Sequence, residues 1–401
     1  GFENVTIDSS NSVVCKIEGE ESQKAVLFCA HIDTVFPDKE LTVKKESGRI
    51  YCPGIGDNSA NVSALLTLAR MVKVFHLQAR KPVILAFTSG EEGLGNLKGI
   101  RSVFSQFEDQ IDEVVAVDGG YLRVVNQAVG SNRYQVTVKT EGGHSYGDFG
   151  NRNAIACMSK LIEKIYSMKV PTQAKSTYNV GTIEGGTSVN SIAQECRMLF
   201  EIRSEKKECL EEMADFFEQS VHEIREIGVD VEIEMIGHRP CAQMTVENSL
   251  VQKVLQAAKT QGIVPEFYAS STDANLPLSE NIPAVCFGAY LGGGAHTREE
   301  YLQPESMRIG MKILSSLFCT YFEQPSENQD ASVFDVEHHA VIIGCLNKAI
   351  MQVAPNNAEY LIEQCMKEYG IKRGEKMSRQ AIKSGFDLDI HSYNAYRQWN
   401  C

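Results

Sequence analysis

The stretch AFTSGEEGLGN, from Ala86 to Asn96, sets Glu91 and Glu92 side by side between glycines, directly after a short apolar run. Two like charges on neighbouring residues at the end of a buried strand call for a compensating cation. One glutamate can ligate it while its neighbour, turned the other way, stays free to take a proton from activated water. Other donor types recur in comparable places. CAHIDTVFP puts His31 and Asp33 one residue apart, so that both project to one side if the strand continues. GIGDNSAN carries Asp57 in a glycine-rich turn before a helix, AVDGG carries Asp118 after another apolar run, and GGGAHT carries His296. Each has a plain structural explanation when taken alone: strand ends are often polar, Asp57 could cap the following helix, and the others could be loop residues. Together they place His, Asp and Glu at the ends of expected buried strands, where α/β sheets put their ligand crevice. Imidazole and carboxylate donors without a thiolate suit zinc or a similar divalent ion, and their number suits two ions if one carboxylate bridges.

The elements that must position these groups follow from the apolar pattern. Residues 26–30, 83–87, 114–117 and 284–287 are short apolar runs bounded by turn residues, as expected of strands buried on both faces. Residues 59–75 have helical spacing, and the alternation of strand and helix argues an α/β class with a mixed central sheet flanked by helices. Beyond about residue 130 the rhythm changes. YQVTVKT alternates as a half-buried strand, 151–168 is an amphipathic helix, ECRMLFEIRS a second strand, 207–227 a second helix and VDVEIEMI a third strand. This α+β block interrupts the α/β pattern, which resumes near Leu250. The expected organisation is a catalytic domain in two parts, 1–128 and 238–324, an inserted α+β domain at 129–237, and a helical C-terminal extension at 325–401 after the polar linker QPSENQD.

Composition narrows the function classes. A formal net charge of -13 disfavours a phosphate-backbone partner, so no nucleic acid is expected. No apolar stretch reaches the length of a membrane span, so no membrane is expected either. Twelve cysteines without a CxxC pair read as free thiols of a reducing cytoplasm.

The ordered string AHIDTVFP, GIGDNSAN, SGEEGLG, VDGG, GGHSYGDFG, GGTSVNSIAQECRMLFEIRS and GGGAHTREEY resembles the M20 family of di-zinc metallopeptidases and deacylases, especially its peptidase T-like, tripeptidase-related branch. The resemblance covers roughly residues 1 to 322. It implies a zinc-peptidase catalytic domain with an inserted lid and dimerisation domain. It also implies that His31 and Asp118 bind one metal, Glu92 and His296 bind the other, and Asp57 bridges them through a residue followed by a cis peptide. Two divalent ions are expected, zinc first, with cobalt or manganese as alternatives. Asp33 would orient His31, Glu91 would be the general base, and His144 would stabilise the oxyanion of a partner subunit's site in a homodimer. One departure is that Ser59 and Ala60 stand where many relatives have Lys-Gly; no inferred ligand is lost.

The resemblance further implies that Asn190 in TSVNSIA hydrogen-bonds the substrate from the lid, and Arg239 in GHRPCA is a guanidinium able to grip a substrate α-carboxylate in bidentate fashion. Arg203 in EIRSE is a second candidate anchor, with bracing of the lid as its alternative. The expected activity is hydrolysis of an amide in a small substrate with a free carboxylate, a di- or tripeptide first. An N-acyl or N-carbamoyl amino acid is the alternative, and a non-catalytic dimeric binding module on the same fold is the alternative of a different class. The tail from MKEYGIKRGEK onward has a faint similarity to L-2-amino-thiazoline-4-carboxylate hydrolase, against a plain helical appendage. His338, His339 and His391 there have no recognisable ligand partners.

Overall fold

The computed structural model describes residue 2 and residues 4–20, 23–38 and 40–323. The expectations for 325–401, including His338, His339 and His391, lie outside the described residues.

AVLFCAH is apolar up to its last residue, and every position of the strand Ala25–His31 is buried. A strand hidden on both faces needs parallel neighbours covered by helices. It has them: Val83–Thr88 on one side and Ile111–Ala116 on the other, both parallel to it. Ala284–Cys286 continues the parallel set beyond Ile111–Ala116. These four strands form the middle of a nine-stranded mixed sheet. Val13–Ile17 joins Val83–Thr88 antiparallel, and Arg123–Ala128 meets Ala284–Cys286 antiparallel. The helices Asn61–Val74, Lys98–Phe107, Ser249–Lys259 and Met307–Cys319 supply the flanking core. Phe28, fully buried, meets Phe318 edge-on with ring centroids 5.1 Å apart; truncating such a ring to alanine costs about 3–5 kcal/mol. The fold is therefore α/β with a mixed central sheet flanked by helices, as the sequence predicts.

A separate four-stranded antiparallel sheet is built from Gly130–Lys139, Ser176–Gly185, Glu195–Ser204 and Asp230–Arg239. The helices Ala154–Tyr166 and Lys207–Glu226 pack against it over their own core. Tyr134, Phe200 and Phe217 meet there with centroid distances of 4.8 to 6.2 Å. Asn153 caps the first helix by accepting from the Ile155 and Ala156 amides, which sets its start later than the expected 151.

A third, small sheet has no counterpart in the sequence reading. Lys44–Glu46, Arg49–Tyr51, Leu291–Gly293 and Tyr301–Gln303 pair antiparallel. It carries the loop with His296 back to the segment that leads into Asp57. The carboxyl ends of the four central parallel strands share one edge of the large sheet, and the candidate site forms on the loops that leave that edge.

Candidate metal centre

His31 closes its strand and is 2 % exposed. Its Nδ1 lies 3.1 Å from the backbone oxygen of Asp33. A carbonyl only accepts, so the proton of the neutral ring sits on Nδ1 and the lone pair of Nε2 faces the cluster. Nε2 is 3.0 Å from Asp57 Oδ1 and 3.9 Å from Asp118 Oδ1. On its other side Asp57 places Oδ2 3.1 Å from His296 Nε2, and His296 Nε2 is 3.0 Å from Glu92 Oε1. Asp57 thus presents one oxygen to each histidine. The structure draws His31, Asp57 and Asp118 into one group of donors, Asp57, Glu92 and His296 into a second, and His31, Glu91 and Glu92 into a third.

Loop geometry holds these groups. The Asp57–Asn58 peptide is cis, as the resemblance implies. Asn58 donates to the Val117 carbonyl and Asn61 to the Gly119 carbonyl, tying the Asp57 segment to the Asp118 turn. His296 has a left-handed backbone with φ of 64°, uncommon for a residue with a side chain. Asp33 works differently from the expectation. The strand stops at His31, and the Asp33 carboxylate comes only to 3.8 Å from His31 Nδ1, beyond hydrogen-bond reach. The Asp33 carbonyl, not its carboxylate, orients His31, while the carboxylate accepts from the Glu91 and Glu92 amides at 3.1 and 2.9 Å. It pins the turn that separates the paired glutamates.

The donor set fits divalent cations. His31 Nε2 is buried and has no hydrogen-bond partner despite its closeness to Asp57. Burial alone would lower the His31 pKa, yet Asp57, Asp118 and Glu91 outweigh it and push it well above the usual value. Burial pushes Asp118 up to about 7, with Asp57 and Glu91 adding to it against the opposing pull of His31. Glu92 is raised by burial, Asp57 and Glu91. Burial would raise Asp57 as well, but His31 and His296 hold it below its usual value; a pair of cations would relieve the repulsion that disfavours the charged forms of Asp118 and Glu92.

Glu91 is 6 % exposed and lies beside His31 and Glu92, near enough to count with them as a further donor group, but its carboxylate is also gripped by an arginine. Arg239, 4 % exposed, donates from Nη1 to Glu91 Oε1 at 3.1 Å and to Ser271 Oγ at 3.0 Å, and from Nη2 to the Glu91 carbonyl. The expected role of Arg239 is to grip a substrate carboxylate; here its guanidinium is shielded from solvent and engaged by Glu91 and Ser271. Arg203 is likewise engaged, gripping both oxygens of Glu201 at 3.0 and 3.1 Å, and Arg133 shares that carboxylate. The Arg203–Glu201 pair lies within one strand, and Arg133 is the partner that reaches Glu201 from the neighbouring strand.

His144 and Asn190 come together elsewhere. Gly143 and His144 pair with Ile192 and Ser191, and the Ser145 amide donates to the Asn190 carbonyl. His144 Nδ1 accepts from the Tyr146 and Gly147 amides at 3.2 and 3.3 Å. Both residues are exposed. Among the described residues, His144 belongs to none of the donor groups around Asp57.

The sequence reading missed two carboxylates. Glu300 is buried and accepts from the Gly54, Gly56 and Asp57 amides; its only signal was a place four residues after His296. Asp273, in SSTDANLP, accepts from Thr88 Oγ1 at 2.6 Å, and burial together with Glu91 pushes it up to about 7. A cavity of about 260 Å³ opens beside His31 and Asp33, walled by Ile32, Val62 and Leu66.

Residues 27–320 match the peptidase family M20/M25/M40. Among solved structures, a tripeptidase from Staphylococcus aureus superposes with a TM-score of 0.63 at 22% identity, over 78% of this chain and 87% of that one. A Bacillus subtilis protein described as a dinuclear metal binding peptidase from the M20 family gives 0.55 at 16%, over 78% and 86%. An acetylornithine deacetylase from Buchnera aphidicola is 24% identical over 199 residues, 46% of this chain and 51% of that relative.

Proposed function

The chain belongs to the peptidase family M20/M25/M40, a family of hydrolases, and from that premise we propose that it hydrolyses the amide bond of a di- or tripeptide with a free carboxylate, using two divalent cations, zinc first among them. The observation that carries this reading is the shared carboxylate: Asp57 Oδ1 and Oδ2 face His31 and His296 at 3.0 and 3.1 Å, with Asp118 and Glu92 completing the two donor groups. His31 and Asp118 would hold one cation, Glu92 and His296 the other, and Asp57 both. When bound, the pair supplies the Lewis acidity that polarises a carbonyl and lowers the pKa of water.

The protein's own groups do the rest. Arg239 occupies Glu91 Oε1 and leaves Oε2 to take the proton from water. Glu91 then returns that proton to the nitrogen of the leaving amine. His144 and Asn190 act on a neighbouring copy, His144 on the oxyanion and Asn190 on the substrate. Tyr146, Phe149 and Val189, all at least 90% exposed beside them, support a homodimer through this surface. The cavity beside His31, about 260 Å³, lies at the small end of ligand pockets, which supports a small substrate.

The nine cysteines among the described residues are free, which supports a cytoplasmic setting, and no helix among those residues is long and apolar enough to cross a membrane. The deacetylase relative favours a second reading, an N-acyl or N-carbamoyl amino acid as substrate. A hydrolysis screen separates the two: di- and tripeptides against N-acetyl and N-carbamoyl amino acids, with zinc, cobalt and manganese supplied in turn. Turnover of peptides alone is expected. Turnover of the acyl or carbamoyl amino acids alone replaces the first reading with the second, and silence on all three ends both.

A further inference from the structure

We propose that Glu300 is a positioning residue that fixes the Asp57 carboxylate before any cation binds, and so links the affinities of the two cation positions; this rests on the reading of Asp57 as their shared ligand. Glu300 is 2 % exposed, and among the described residues its carboxylate accepts from backbone amides. Oε2 accepts from the Gly54 amide at 2.6 Å, and Oε1 accepts from the Gly56 and Asp57 amides, each at 2.8 Å. Amides that converge on one anion in this way make a nest, and the anion in turn fixes the backbone that carries them.

The Asp57 segment needs such a restraint. Gly54 has φ of 73°, and a side-chain carbon at Gly56 would meet the Tyr290 hydroxyl at 2.6 Å, so glycine is required at both. Glycines leave the chain many alternatives before it is held. A carboxylate that must offer one oxygen to His31 and the other to His296 tolerates little rotation of its backbone. Glu300 bonds to the amide of Asp57 itself.

Covalent continuity extends the effect. His296 and Glu300 lie in one turn, with the Thr297 amide donating to the Gly294 carbonyl and the Glu300 amide to the Thr297 carbonyl. Its exit is fixed by pairing of Tyr301 and Leu302 with Tyr51 and Ile50. One short segment thus delivers a ligand to one cation position and holds the ligand shared by both. Loss of Glu300 should weaken both cations together, whereas loss of Glu92 should weaken chiefly one.

The test is cation binding to the full chain after chelation, by calorimetric titration with Zn²⁺ and, separately, Co²⁺. Glu300→Gln keeps the shape but turns a donor toward donors. It should bind both ions about 10- to 100-fold more weakly, the usual effect of losing a group that orients a ligand, while Glu92→Gln loses affinity at one position. Wild-type affinity for both ions in Glu300→Gln overturns the inference and leaves the metal reading intact. Failure of the wild-type chain to bind any ion overturns the metal reading, and the inference with it. Hydrogen exchange on the metal-free wild-type chain needs no variant and serves if Glu300→Gln does not fold. Slow exchange of the Gly54, Gly56 and Asp57 amides is expected, and exchange as fast as in an unstructured peptide overturns the inference.

Discussion

The donor cluster around Asp57 and the hairpin around His144 are built on opposite principles. In the first, loops leaving parallel strands are bolted to one another by side chains: buried Asn58 and Asn61 to the Asp118 turn, half-buried Asp33 to the paired glutamates, buried Glu300 to the Asp57 segment. In the second, a two-residue strand pair holds His144 and Asn190 among exposed Tyr146, Phe149 and Val189. Groups that must meet charge at fixed distances are set within one chain and largely shielded from water, His296 alone of the five standing exposed, and shielding strengthens the electrostatic contacts they make. Groups that meet a substrate late can be left outside. If the contrast is real, damage to the first region should show without a substrate, and damage to the second only with one.

The largest effect is expected inside the cluster, at the paired glutamates. Glu91→Ala should lower kcat by about 10² to 10⁴, the usual contribution of a general base, while metal analysis still finds both ions. Glu92→Ala should lose metal content first and activity as a consequence. Retention of full activity in Glu91→Ala sinks the assignment of the base. Next is Arg239. Removing one partner of a buried pair costs about 3–5 kcal/mol, so Arg239→Ala should destabilise the metal-free protein by that order in denaturant unfolding. Arg239→Lys cannot reproduce the fork that reaches Glu91 Oε1, the Glu91 carbonyl and Ser271. A mere rise in KM, with stability and kcat unchanged, would mark Arg239 as a substrate anchor.

The sequence made the central strands legible because burial on both faces leaves unbroken apolar runs, and it grouped His31, the paired glutamates and Asp118 because they follow those runs. It was silent where the signal depends on where a strand stops or on a distant partner. H-x-D spacing could not tell that the strand ends at His31, which hands the orienting role to the Asp33 carbonyl. Arg239 reads alike whether it faces a substrate or Glu91, 148 residues away. The small sheet that carries Glu300 escaped because Lys44–Glu46 is exposed throughout and its pairing strands are three residues long, too short to show a period.

The hairpin is tested by mixing. His144→Ala should cost about 10² to 10³ in kcat if its ring meets the oxyanion, without changing metal content. Mixed one-to-one with Glu91→Ala and allowed to exchange subunits, it should regain about a quarter of wild-type activity, because half of the dimers then hold one intact composite site. No recovery on mixing, with dimers verified by sedimentation, would show that His144 does not act on a partner.

The smallest effect is expected at Arg203, and its smallness is the point. Its bidentate grip on Glu201 is part-exposed, with side-chain exposures of 39% and 27%, and such pairs contribute about 0–1 kcal/mol. Arg133 also reaches Glu201 at 3.3 Å, so the carboxylate keeps a cationic partner when Arg203 is lost. Arg203→Ala should therefore unfold within about 1 kcal/mol of the wild type, with KM for a good substrate unchanged. A guanidinium that held the substrate carboxylate would betray itself in the opposite pattern, a raised KM that is largest for free-carboxylate substrates and vanishes for their amides. That result would move substrate recognition onto the four-stranded sheet, on the exposed side of the comparison.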